Sequence, residues 1–124
     1  MTISYVVLFV KDMDATLAVY RDAIGLEVNQ RYMDGEDDVA FLVQKGAKPM
    51  VDDTLLEIVC SKEKAKGLPN VFLGFEVSDL AEATERMKAA GQSVINEPYS
   101  PGPEVKIITM TGPDGETIEL MQNL

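Results

Sequence analysis

The sequence predicts an α+β fold made of two βαβββ modules whose strands form an open, curved sheet cleft. Two observations carry that expectation: a strand-then-helix unit is written twice, and three strand-like segments follow each copy. The copies are "YVVLFVKDMDATLAVYRDAIG" and "FLGFEVSDLAEATERMKAAG", and Asp12 follows Val10 at the spacing by which Asp79 follows Val77. The modules are expected at about 1–61 and 70–124, joined by a linker at about 62–69 within one domain spanning 1–124.

Each element has a local cause. Asp12 and Asp79 are placed to cap a helix, since a short acidic side chain accepts the free N–H groups of the first turn. Behind them, Met13, Leu17, Tyr20 and Ile24 recur at helical spacing, as do Leu80, Ala83, Met87 and Ala90; Gly25 and Gly91 supply the stops. The later strands are expected at 27–33, 38–44 and 54–60, and again at 93–97, 104–111 and 116–122. "DGEDD", "PYSPGP" and "GPDG" supply the turns, with "PYSPGP" expected as a Pro- and Gly-rich loop bordering a cleft. "VDDTLLEIV" overlies "PDGETIELM" without a gap, so Glu57 falls on Glu119.

Alternation along the strands sorts the faces. Val6, Leu8 and Val10, with Leu73, Phe75 and Val77, form the set expected under the helices. Tyr5, Val7 and Phe9, with Phe72, Gly74 and Glu76, face the other way, and Glu57 and Glu119 share that parity. A carboxylate inside an apolar strand must be solvated, paired or protonated, so this face is the candidate cleft. Glu57 and Glu119 are the candidate catalytic pair, and Tyr5, Val7, Phe72, Glu57 and Glu119 the candidate ligand-binding set. Cys60 takes the helix side and is expected to be an inert buried thiol. Arg31 lies on the second strand with its facing undetermined, available either to a cleft carboxylate or to solvent.

Composition removes several function classes. At 124 residues and 46% hydrophobic the chain can bury a core, and it holds no apolar run long enough to cross a bilayer. A formal charge of −10 argues against nucleic acid, and "SKEKAKG" is expected to be a solvated basic turn. One cysteine and no secretion signal suit a cytoplasmic protein. There is no histidine, so no mechanism that needs an imidazole is open to the chain alone.

"VKDMDATLAVYRDAIGLEV", "FEVSDLAEATERMKAAG" and "GPDGETIELMQ" together resemble the vicinal oxygen chelate superfamily, which includes glyoxalases, bleomycin-resistance proteins and extradiol dioxygenases. The resemblance implies a glyoxalase-like fold, a ligand held by the sheets and often a homodimer. It also implies that metal-dependent members draw ligands from the first and last strands of each module. Carried over, the last-strand ligands fall on Glu57 and Glu119, but the first-strand histidines fall on Tyr5 and Phe72. A phenyl ring has no lone pair and a neutral phenol is a poor donor, so no metal ligand set and no cofactor are expected. The alternative is weakly bound Mg or Mn held by the two carboxylates and water. The leading expectation is a metal-independent protein that binds or sequesters a partly apolar, cationic small molecule. The alternative is a metal-dependent lyase, isomerase or epimerase, lactoylglutathione-lyase-like, using Glu57 and Glu119; the missing imidazoles argue against glyoxalase activity itself.

Overall fold

In the computed structural model, which describes residues 3–48 and 55–124, the chain divides into two units, Met1–Gly67 and Leu68–Leu124. The first contains β1 (Tyr5–Val10), α1 (Met13–Leu17) continued by a π-helical stretch (Ala18–Ala23), β2 (Glu27–Asp34), β3 (Asp37–Val43) and β4 (Leu55–Cys60). The second contains β5 (Phe72–Glu76), α2 (Leu80–Ala89), β6 (Val94–Gly102), β7 (Val105–Thr111) and β8 (Thr117–Asn123). Strand order is β1-β4-β3-β2 in one sheet and β5-β8-β7-β6 in the other. In both, the first strand runs parallel to the last and the remaining pairs are antiparallel. Each sheet is open, with two edge strands, and the expected βαβββ repeat is present twice.

The caps form as their side chains dictate. Asp12 accepts the Ala15 N–H at 3.1 Å and Asp79 the Glu82 N–H at 3.0 Å, both from extended backbone. Past α2, Gly91 sits at φ +90°, with its N–H on the Lys88 carbonyl and the Gln92 N–H on that of Met87, a Schellman ending. The first helix has one more residue to place: Gly25 follows Asp12 by 25 − 12 = 13 positions, Gly91 follows Asp79 by 91 − 79 = 12. The extra residue is taken up as the π turn, where Ile24 N–H reaches the Val19 carbonyl and Leu26 N–H that of Tyr20.

One face of each sheet is closed by its own helix. In the first unit Leu8, Val10, Ala40, Leu42 and Ile58 are buried with Met13, Leu17 and Tyr20 of the helix. In the second, Val77, Ile108, Met110, Ile118 and Leu120 are buried with Leu80, Ala83 and Met87. Each such Val, Leu, Ile or Met side chain contributes roughly 1.5–3 kcal/mol by leaving water. The expected helix faces are correct in this core, while Val6, at the start of β1, is exposed.

Two expectations need correction. "PYSPGP" is no free loop: β6 runs on to Gly102 through three register shifts against β7. An edge strand has one hydrogen-bonded side, so Pro98 and Pro101 fit at its irregularities although they donate nothing. Cys60 is half-buried rather than buried, because it ends β4 where the chain leaves the sheet; its Sγ donates to the Lys11 carbonyl at 3.6 Å.

The turn before β8 holds a carboxylate that strand alternation does not reveal. Glu116 is 1% exposed and accepts the Asp114 N–H at 2.7 Å, while the Gly112 N–H donates to the Glu116 carbonyl at 2.8 Å. A Cβ on Gly112 would overlap Cγ, Cδ and Oε1 of Glu116, so this glycine is required for space rather than for backbone freedom.

Candidate functional site

On the first sheet β4 is an inner strand, and its register sets what surrounds Glu57. Glu57 stands between Val7 of β1 and Phe41 of β3, so one row across the sheet reads Val7, Glu57, Phe41, Gln30. The next row reads Phe9, Val59, Val39, Tyr32. Both rows lie on the face away from α1, because the alternate residues Leu8, Ile58 and Ala40 are the ones buried with it. Glu57 and Val7 are half-buried, and Tyr5, at the start of β1, is 53% exposed. The rings of Tyr32 and Phe41 meet edge to face at 5.8 Å, and the Lys64 ammonium lies 5.6 Å from the centre of the Phe9 ring.

The second sheet repeats the placement with different neighbours. Glu119 stands between Gly74 of β5 and Thr109 of β7 on the helix-free face. It is half-buried, and Phe72, paired with Thr117, is 67% exposed. Glu76 on the same parity is occupied, accepting from the Asn123 side-chain amide at 2.7 Å. Each sheet therefore brings one glutamate and one exposed ring to the face its helix leaves open. Among the described residues neither Glu57 nor Glu119 takes part in a side-chain hydrogen bond or ion pair. Within the first unit a carboxylate is set among Val7, Phe41 and Val59, which suits a cation or a hydrogen-bond donor bearing an apolar flank.

Arg31 does not join this face. Counting back from the β2–β3 hairpin, Arg31 pairs with Ala40, and a bulge between Val28 and Gln30 absorbs one residue. Its guanidinium forms a fork with Asp38, at 3.0 and 2.7 Å, which raises the Arg31 pKa above its ordinary value. Phe41, Tyr32 and Lys64 were not singled out by alternation in β1 and β4 alone. The "DDVAFLV" pattern of β3 holds the signal for Phe41, whereas the side chain of Lys64 folds back from a loop.

Tyr5 and Glu57 are two positions apart in register, Phe72 offers no donor atom, and among the described residues no group of three or more Cys, Asp or Glu side chains is gathered to hold a metal.

Two βαβββ modules, each presenting a glutamate on the helix-free face of its last strand, define the class of paired-module proteins. A profile of the Glyoxalase/Bleomycin resistance protein/Dioxygenase superfamily matches residues 2–120, and the chain belongs to that superfamily. It is 30% identical over 129 residues to a lactoylglutathione lyase of Neisseria meningitidis, covering 98% of this chain and 91% of that protein. Among solved structures, an antibiotic-binding protein from a Streptomyces species matches with a TM-score of 0.73 at 19% identity, covering 100% of this chain and 97% of the other. The trypanothione-dependent glyoxalase I of Leishmania major matches at 0.78 and 20% identity, covering 98% and 86%. At such identities the structural likeness speaks for the fold. No helix among the described residues is long and apolar enough to cross a membrane.

Proposed function

We propose that this chain binds or sequesters a partly apolar, cationic small molecule without a metal, in the cytoplasm and as a homodimer. The candidate ligand contacts are Tyr5, Val7 and Glu57 on the first sheet and, on the second sheet taken by itself, Phe72 and Glu119. One observation carries the reading: both glutamates are half-buried on the helix-free faces, without a side-chain hydrogen bond or ion pair among the described residues, and an exposed aromatic ring lies on the same face of each sheet. Rings in place of nitrogen donors favour stacking and cation–π contact over chelation. The antibiotic-binding activity of the Streptomyces relative is consistent with such a role, and exposed Ile95 and Tyr99 on edge strand β6 support pairing of two copies.

Titration calorimetry of metal-stripped protein against bleomycin and other basic, partly apolar compounds tests the reading, with light scattering reporting the dimer. Binding that survives chelator, and weakens in Glu57→Gln and Glu119→Gln, is expected. Absence of binding across the panel overturns it.

The near-full-length identity to a lactoylglutathione lyase favours a second reading, in which the chain is a lyase, isomerase or epimerase. Glu57 or Glu119 then serves as the general base that removes a proton from substrate. Assays of lactoylglutathione formation, with and without added Mg²⁺ or Mn²⁺, separate the two: turnover abolished by either Glu→Gln change establishes the enzyme.

A further inference from the structure

The first unit carries a second charge on the open face of its sheet. β1 and β4 run parallel, so Val10 and Cys60 end side by side and the chain after β4 turns back over that end of the sheet. Ser61, 4% exposed, fixes the turn: its Oγ accepts the Lys64 N–H at 3.2 Å and its carbonyl the Ala65 N–H at 3.0 Å. The Lys64 side chain is thereby delivered over the Phe9 ring, on the face that holds Glu57. Phe9 and Val59 form the row next to that of Val7 and Glu57, so the ammonium lies over the row beside the one that holds the carboxylate. Lys64 and Glu57 do not pair with each other. Beside them the Val7 side chain is half-buried and within reach of a ligand, whereas Val59 is buried, 7% exposed.

We propose that Glu57 and Lys64 form a two-point clamp for a ligand bearing both a cationic amine and an anionic acid group, joined by a short apolar spacer that lies over Val7. This rests on the proposed binding role and adds an anionic group to the ligand's description. The charge order is fixed: the amine goes to Glu57 and the acid to Lys64. Lys64 also retains its ring contact, because a ligand carboxylate reaches the ammonium from the side away from Phe9.

The test is calorimetry on the full chain with γ-aminobutyrate and ε-aminocaproate, alongside hexylamine and hexanoate. A zwitterion of matching length is expected to bind at least about tenfold more tightly than either single-charge compound. Glu57→Gln and Lys64→Met should each reduce it to that level, and Lys64→Arg, with unchanged circular dichroism, should restore most of it. Hexylamine binding as tightly as the best zwitterion, an affinity indifferent to Lys64→Met, or no binding by either zwitterion overturns the clamp. Should the binding role itself fail, basic apolar compounds are not bound either; should only the clamp fail, they bind with affinities that ignore Lys64.

Discussion

Replacing Gly112 by alanine sets a buried carboxylate against a new methyl group. The added carbon would occupy space already taken by Cγ, Cδ and Oε1 of Glu116, a residue 1% exposed. The chain then has two options. If Glu116 stays, the turn is overpacked, which costs about 1–3 kcal/mol. If Glu116 swings away, it gives up the 2.7 Å bond from the Asp114 N–H, and a lost hydrogen bond to a charged group costs about 1.5–3 kcal/mol. The smaller of these applies, so a loss of about 2 kcal/mol is expected in urea denaturation followed by circular dichroism. Glu116→Ala separately should lose a similar amount, and adding Gly112→Ala to it should lose little more, a coupling of about 2 kcal/mol. Gly115→Ala is the control: its φ of +90° penalises alanine by about 1–2 kcal/mol, but open space surrounds it, so Glu116→Ala should bring no relief. A Gly112→Ala protein within 0.5 kcal/mol of wild type, or strictly additive losses, would refute the steric account.

Asp79→Ala and Asp12→Ala each remove a helix cap and should lower stability by about 1 kcal/mol, read as a fall in Tm of roughly 3–6 °C. Arg31→Met breaks an ion pair with Asp38 that is 42% and 24% exposed, so stability should drop by less than about 1 kcal/mol, and Glu57-dependent ligand affinity should not change. A tenfold loss of affinity would place Arg31 on the other face. Hydrogen bonding to Arg21 holds Asp22 below its ordinary pKa of 3.8. A depressed folded pKa stabilises above the unfolded value and is lost as pH falls through the folded one. Arg21→Gln should therefore differ from wild type by a few tenths of a kcal/mol at pH 6, since the pair is exposed, and converge with it on acidification below the Asp22 pKa.

The duplicated βαβββ order was legible because each signal was local: a capping aspartate, a helical apolar stripe, a stopping glycine. The placement of Glu57 and Glu119 was legible as well, since alternation holds along unbroken strands such as β4 and β8. Arg31 shows where that logic stops. Its pairing with Ala40 is set by the turn between Asp34 and Asp37, while Glu27 and Val28, beyond the bulge, are offset by one residue, and nothing in "EVNQRYM" announces where the bulge falls. Glu116 was hidden for another reason. Its burial depends on the path of a turn and on the missing side chain at Gly112, neither of which a period of two records.

The irregularities of both sheets keep to their margins. Register shifts occur where edge strands β2 and β6 meet their neighbours, while β4 and β8 run true against the strands on either side. The glutamates are thus mounted on the two rulers of the molecule, and additions or losses of single residues can gather at the rims without moving them. Descendants of this chain are free to reshape what approaches each carboxylate while its own bearing stays fixed.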